Sequence, residues 1–548
     1  MDSALTAWDW TVVLLYIALM LGMSAWLARG QRGSRDYYLG GNRTGALPVA
    51  LSTMATQCST NSLLGAPAFV AFAAGGGLLW LQYELAVPFA MIFLMAFVFP
   101  VFRGLGIVSV YEFLELRYGP VARTVLSVVF QLLRAFATGV TVYGVSLVLE
   151  VSLGIPFAAA VLLLGAVTVL YDAMGGIRAV IWSDVVQVAV LFGAMLAAAG
   201  MILHLGGGLG PLLDAVESGR AQGVDFGRHG MGDGATFAFW PMLIGGFFLY
   251  IAYYGCDQTQ AQRELATRSV ADTRRALFYD GLFRFPLVLT YCLLGLFLGG
   301  YAAIHPGFLD SPHLIDGTGE RNLNLAVPAF VFEYFPVGLV GLVVAGLFAA
   351  AMSSLDSTIN SLSALSMEDV VKRWRKKPLS PFGELWISRA LTLLWGSLCL
   401  GFAFFVGGVA ETVIEAVNRI SSFMNGPMLA VFLLGIFTRR IGQTAALAGF
   451  SAGLLGNSWL WHAAPGVSWL WWNVTGFAAA WVVAEIVQFI RRGDPKSTAR
   501  TFDAMAFLRS ENTKPDAGQW KPMAWGLAAY GVLIFFLLLF AQRLLTGG

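Results

Sequence analysis

The chain has 548 residues, 57% of them hydrophobic and only 12% charged, with a net charge of +2. Its mean hydropathy of +0.71 excludes a water-soluble globular domain. Apolar runs of roughly 20 residues recur along the whole length, so the chain reads as an all-α polytopic membrane protein, and no nucleic-acid partner is expected.

The first run, Trp10–Leu27, follows Asp2 and Asp9 and lacks a basic leader, so it reads as a true span and not as a cleaved signal peptide. In all, about fourteen spans are expected: 8–28, 46–72, 78–102, 124–152, 156–172, 180–204, 236–254, 277–303, 337–367, 386–410, 412–437, 444–462, 468–490 and 524–545. Alternate connections collect the basic residues: Arg29, Arg32, Arg35 and Arg43; Arg263, Arg268, Arg274 and Arg275; Lys372–Lys377; Arg439 and Arg440; and 491–521. The positive-inside rule makes that side cytoplasmic, in a cell (inner or plasma) membrane, with both termini outside. The four cysteines, Cys58, Cys256, Cys292 and Cys399, sit in or beside apolar segments without paired spacing and read as core or pore-lining residues.

Several spans carry polar residues that lipid would not tolerate. The second holds Ser52–Ser62 and then Gly65 and Pro67, a run that weakens helix continuity and frees carbonyls able to bind Na⁺; simple kinking is the alternative. Glu84, Arg134 and Asp184 lie in or near apolar centres, either as ion-pair partners of one another or, for Arg134, as a bidentate receptor for a carboxylate. Arg284 is a further candidate, but its place near a cytoplasmic end suggests a structural role. Gly206–Gly234 reads as an external loop, and His305–Asn322 as the lead into a short external helix.

The span 337–367 contains Ala350–Ser361, rich in serine, with Asp356 and Asn360. Ser353, Asp356 and Ser357 stand at i, i+3 and i+4 and share one helix face. Such a stripe offers hard oxygen ligands for a small alkali cation, although serine and asparagine also glue membrane helices together. An interruption matching the one in the second span is expected at Asn418–Pro427, within 412–437. No GxxxxGK[ST] loop, HExxH or paired CxxC occurs, which argues against an ATP-driven pump and an intramembrane metalloprotease. The chain is expected not to be an enzyme; a secondary transporter, a channel and a membrane receptor remain.

Several ordered motifs together resemble the solute:sodium symporter family, which includes sodium/glucose, sodium/proline and sodium/sialic acid transporters. They are Asp36–Gly41, Tyr171–Asp184, Asp257-Gln258 through Gln262-Arg263, Ser353–Ser357 and Pro427–Gly435, and the likeness covers about residues 8–490. The resemblance implies a LeuT-type 5+5 inverted repeat, with substrate and sodium at the midplane. The repeats would be 46–204 and 236–437, flanked by 1–45 (an extra helix and loop), an external loop 205–235 and extra helices in 438–548.

The resemblance places a principal sodium site on Ala55 and Cys58 in one helix and on Ala350, Ser353 and Ser354 in another. A second sodium, found in some members, would use Asp184, Ser353, Asp356 and Ser357, with Asp356 where some relatives carry Ser or Thr. Substrate contacts would fall on Ser59, Ser62, Gln82, Glu84 and Asn418, with Tyr253 as an inner aromatic gate and Arg134 on a substrate carboxylate. The expected function is sodium-coupled import of a small organic solute bearing a carboxylate, by a functional monomer in the bilayer. A neutral solute, with Glu84 neutralising Arg134, a proton-coupled relative using Asp184 or Asp356, and a membrane sensor are the alternatives. The last has no sizeable cytoplasmic domain after residue 490 to support it.

Overall fold

The computed structural model describes residues 5–58, 60–315, 319–406, 413–491, 502–511 and 518–546. Among these the chain is helical, with no strand beyond isolated bridges. That is the expected solution in lipid, where each backbone N–H and C=O must find its partner within the chain. We number the principal helices in chain order: α1 Ala7–Leu27, α2 Ala46–Gln57, α3 Gly65–Phe72, α4 Leu78–Leu105, α5 Pro120–Leu153, α6 Phe157–Leu205, α7 Pro241–Gly255 and α8 Gln258–Leu265. The series continues with α9 Val270–Ile304, α10 Ala326–Tyr334, α11 Leu339–Leu365, α12 Pro381–Phe405, α13 Val413–Phe437, α14 Gln443–Ala463, α15 Trp472–Ile490 and α16 Lys521–Thr546.

Ten described helices are long and apolar enough to cross a bilayer. The remaining expected spans fall on elements of other kinds. Residues 46–72 are split into α2 and α3, the two spans within 156–204 run together as α6, α7 is short, and α14 is not among the ten. As one straight rod the 49 residues of α6 would be roughly 70 Å long, over twice the hydrocarbon thickness. It folds at Gly176, whose φ of 56° and ψ of −157° are open only to glycine. The site is also crowded, since a Cβ there would lie 2.5 Å from the Tyr37 carbonyl oxygen.

The serine-bearing helix is the centre of the bundle. In the span that continues α11, 83% of the most apolar window is buried, against 22% for α16, which therefore faces lipid. Asp9 ties α1 to it, with Oδ1 accepting the amides of Gly338 and Gly341 at 2.8 Å each. All four cysteines are buried and free.

The expected second interruption lies elsewhere. α13 runs unbroken through Pro427. Proline frees the carbonyl four residues earlier, and here the Asn457 amide donates to that Phe423 oxygen at 2.9 Å. Gly453 and Gly476 face the ring, where a Cβ would come within 2.8 Å of Pro427. The break occurs instead at Cys256 and Asp257, between α7 and α8, where Asp257 caps α8 through the Thr259 amide at 2.7 Å. Gly176→Ala is expected to destabilise the chain by about 1–3 kcal/mol before the clash with Tyr37 is counted. A lowered melting temperature of the purified protein checks this.

Candidate functional site

α2 ends at Gln57 because Cys58 leaves helical geometry (φ −77°, ψ 65°), so the last carbonyls of α2 run out of intrahelical donors. α11 crosses this end with its serine face. Ser354 Oγ lies 3.3 Å from the Thr56 carbonyl oxygen and 3.4 Å from that of Ala350. Ser353 Oγ is buried with no hydrogen-bond partner, and Ala55, Cys58 and Ala350 are buried beside it. Convergent carbonyls and an unpartnered buried hydroxyl suit a small hard cation. The end of α2, with Ala55 and Cys58, thus meets the stretch of α11 that carries Ala350, Ser353 and Ser354, through Ser354 and the Thr56 carbonyl.

The second expected site holds a surprise. Arg263, counted in the sequence among cytoplasmic loop charges, is fully buried, and Arg274 is buried as well. The Arg263 guanidinium pairs with Asp184 Oδ2 at 3.1 Å and donates to Ser52 Oγ at 2.6 Å and Thr56 Oγ1 at 2.7 Å. It also donates to Ser357 Oγ and to the Thr259 carbonyl. Ser357 is therefore already engaged. Asp356, expected as a sodium ligand or proton carrier, is held by the Tyr171 hydroxyl and by Ser357 Oγ at 2.9 Å. Asp184 Oδ1 and Ser353 Oγ are left as buried oxygens without partners.

A cavity of about 1460 Å³ leads from the loop 217–228 and residues 322–325 down to Ser354 and Thr358. Arg134, Tyr253, Arg284, Tyr250 and Ser62 stand on its wall. Glu84 does not neutralise Arg134; it takes Arg284, with Nε to Oε2 at 3.0 Å, and accepts from Tyr250 at 3.1 Å. Arg284, expected to be merely structural, also donates to Gln57 and so reaches the broken helix. Among the described residues Arg134 has a single ionic contact, Nη1 to Asp257 Oδ2 at 3.4 Å, and its Nε is buried without a partner. Its guanidinium lies 6.0 Å from the Tyr253 ring centre.

Other expected contacts fare differently. Gln82 is buried away from the cavity, with its amide donating to the Phe237 carbonyl at 3.0 Å. It braces the loop side and does not line the cavity. Ser59 and the side chain of Asn418 lie outside the described residues. At the rim, the amides of His229, Gly230 and Ala235 bind Asp233 and hold its carboxyl down at about 2.

Below Tyr253 the bundle is shut. Gln260 donates to the Tyr253 hydroxyl at 2.7 Å, Gln262 bridges the Tyr38 carbonyl and Asn360 at 2.8 and 2.9 Å, and Tyr38 bonds Ser363 at 2.8 Å. Nearer the basic face, Arg123 binds Asp369 at 2.5 Å, and Asp369 also accepts from Ser127 at 2.6 Å. Arg263, Asp257, Tyr171 and Thr56 are the participants that single-residue reading did not place. Asp257 and Arg263 share one sequence signal, the run Asp257–Glu264, polar but for Ala261 and buried throughout, while Thr56 and Tyr171 stand in the Ser52–Ser62 and Tyr171–Asp184 stretches.

Residues 37–453 match the Sodium:solute symporter family. The human sodium/iodide cotransporter is 30% identical over 83% of this chain and 69% of its own length. Human sodium-coupled monocarboxylate transporter 1 is 30% identical over 83% and 73%, and the Oryctolagus cuniculus sodium-dependent multivitamin transporter 33% over 82% and 69%. The fold matches an outward-open, substrate-bound Na⁺-coupled sialic acid symporter at a TM-score of 0.79, with 24% identity over 88% of this chain and 98% of that one. It also matches the nucleobase-cation-symport-1 transporter MHP1 at 0.54, with 14% identity over 88% and 99%.

Removing one member of a fully buried pair leaves the other charge uncompensated, at a cost of about 3–5 kcal/mol. Asp184→Ala, stranding Arg263, is expected to lose that much stability, and Asp233→Ala at the exposed rim far less. Unfolding of the purified variants in detergent compares the two.

Proposed function

The chain belongs to the sodium:solute symporter family, and from that premise we propose that it imports a small carboxylate-bearing solute with sodium by alternating access. It is a multi-pass membrane transporter and not an enzyme, and Na⁺ is its coupling ion. The observation that carries the solute class is Arg134: a guanidinium on the cavity wall with one long ionic contact and an unpartnered Nε. It can turn from Asp257 to a solute carboxylate, whereas Arg284 is committed to Glu84. The relatives include a sodium/iodide cotransporter and a sodium-coupled monocarboxylate transporter, whose cargoes are anionic.

Sodium is assigned to Ala55, Cys58, Ala350, Ser353 and Ser354, where it joins the broken end of α2 to α11. A second sodium is assigned to Asp184 Oδ1 and Ser353 Oγ, the two buried oxygens left without partners beside Arg263. Ser357 and Asp356 are not ligands in this scheme, being held by Arg263 and Tyr171. The cavity opens on the loop side and the basic side is closed. With the Arg29–Arg43 and Lys372–Lys377 segments cytoplasmic, this is an outward-open state with both termini outside. Fourteen spans, repeats at 46–204 and 236–437 and a functional monomer complete the proposal.

Two sodium ions with one monoanion move one net positive charge. That charge contributes about 2.3 kcal/mol per 100 mV, enough for a roughly 40-fold solute gradient at about 1.4 kcal/mol per tenfold. In proteoliposomes, solute-dependent inward current of one charge per monocarboxylate is therefore expected; uptake without current would remove the second ion. Ser353→Ala with Ser354→Ala should abolish the difference between sodium and choline buffers, and unchanged sodium-driven uptake would sink the ion assignment. Arg134→Ala should eliminate uptake of a carboxylate and only weaken that of its amide, measured as initial rates of both.

A further inference from the structure

Six buried side-chain oxygens lie together: both of Glu264 on α8, both of Asp280 on α9, Thr53 Oγ1 on α2 and the Tyr254 hydroxyl on α7. All four residues are fully buried, and none of these oxygens makes a well-formed hydrogen bond, although Gln57 stands beside the Tyr254 hydroxyl. The Glu264 carboxyl faces that of Asp280 and the Thr53 hydroxyl, while Tyr254 sits in the field of Asp280. Carboxylates only accept, so two of them face to face cannot bond unless one carries a proton.

The surrounding charges fix how many protons fit. Arg263 on α8 is committed to Asp184, and Arg284, one turn beyond Asp280 on α9, to Glu84. Arg103 on α4 is the remaining cation facing the pair. Its two Nη groups donate to the carbonyls of Leu265 and Thr267 at 2.8 and 2.9 Å, and no described carboxylate lies within ion-pair distance of it. With both carboxyls ionised the pocket carries one uncompensated negative charge; with one shared proton it is neutral.

We propose that Glu264 and Asp280 form a proton-binding site, holding one proton between their carboxyls with the Thr53 and Tyr254 hydroxyls beside it. The site takes its proton from water as an O–H on one carboxylate oxygen and returns it to water. It joins α2, α7, α8 and α9, which include both sides of the α7–α8 break and the helix that ends at Cys58. Loss of the proton leaves two like charges in contact between α8 and α9 and drives those helices apart, so closure of the bundle depends on pH.

The test needs no knowledge of the solute and is independent of the sodium and carboxylate assignments. Infrared difference spectra of the purified full chain between acid and alkaline pH are expected to show a protonated-carboxyl C=O band, downshifted in D₂O. That band should be lost in Glu264→Gln/Asp280→Asn. The wild-type melting temperature should fall at alkaline pH, and that of the double variant should stay flat. Should the double variant not fold, Glu264→Gln and Asp280→Asn singly preserve shape and should each lose the band. A band that survives in the variants, or equal pH dependence of melting in wild type and variant, would overturn the proposal. So would loss of the band on replacing choline by sodium at fixed pH, which would make the site a sodium site.

Discussion

The buried Arg263 guanidinium is the constraint around which the core is arranged. Taking such a charge out of water costs several kcal/mol even after relaxation, and only a full set of acceptors offsets it. Arg263 finds them on four separate helices: Ser52 and Thr56 on α2, Asp184 on α6, the Thr259 carbonyl on its own α8 and Ser357 on α11. Any displacement of α2 from α11 by more than hydrogen-bond reach would strand the charge. The same spacing sets the Thr56 carbonyl 3.3 Å from Ser354 Oγ, so an immobile cation holds open the place proposed for a mobile one.

Among the described residues four buried arginine–carboxylate pairs run through the bundle; Arg123–Asp369 lies near the basic face, and the geometries of the other three separate their roles. Arg263–Asp184 is wholly enclosed and reinforced by hydroxyls, which suits a fixed strut. Arg284–Glu84 is close, shared with Tyr250 and tied to Gln57, so it braces the cavity wall against the broken helix. Arg134–Asp257 is the longest at 3.4 Å, and Asp257 is also the cap of α8. Drawing Arg134 toward an anion would loosen its hold on the residue that begins the inner half of the α7–α8 break. Cargo and gate are thereby linked through one carboxylate.

Much of this is readable from local pattern, because lipid enforces local rules. Apolar runs mark helices, the Ser52–Ser62 run marks the break, and the spacing of Ser353, Asp356 and Ser357 marks the polar face that α11 turns to α2, α6 and α8. Ion-pair partners do not follow such rules, since they depend on which faces meet after packing. Arg263 and Asp184 are 79 residues apart, and Arg284 and Glu84 are 200 apart. Arg263 was hidden by its neighbours, standing five residues before the exposed Arg268 at the head of a truly basic connection. Pro427 misled for the opposite reason. Its signal was strong, but Asn457, Gly453 and Gly476, on two other helices, absorb the carbonyl and the ring that would otherwise break α13.

The contacts that close the basic side differ in kind from those that hold the ion site. Gln262 to Tyr38 and Asn360, Gln260 to Tyr253 and Tyr38 to Ser363 are neutral hydrogen bonds, each with a net worth of about 1 kcal/mol. Water entering from below can replace them one by one. Arg263 cannot be hydrated so cheaply without undoing four helices at once. Opening toward the basic side is therefore easiest if α8 pivots around Arg263, shedding the glutamine bonds while the guanidinium stays in place. In that motion Glu264, the next residue, moves relative to Asp280 on α9. The proposed proton site therefore lies between the helix that pivots and the one that does not.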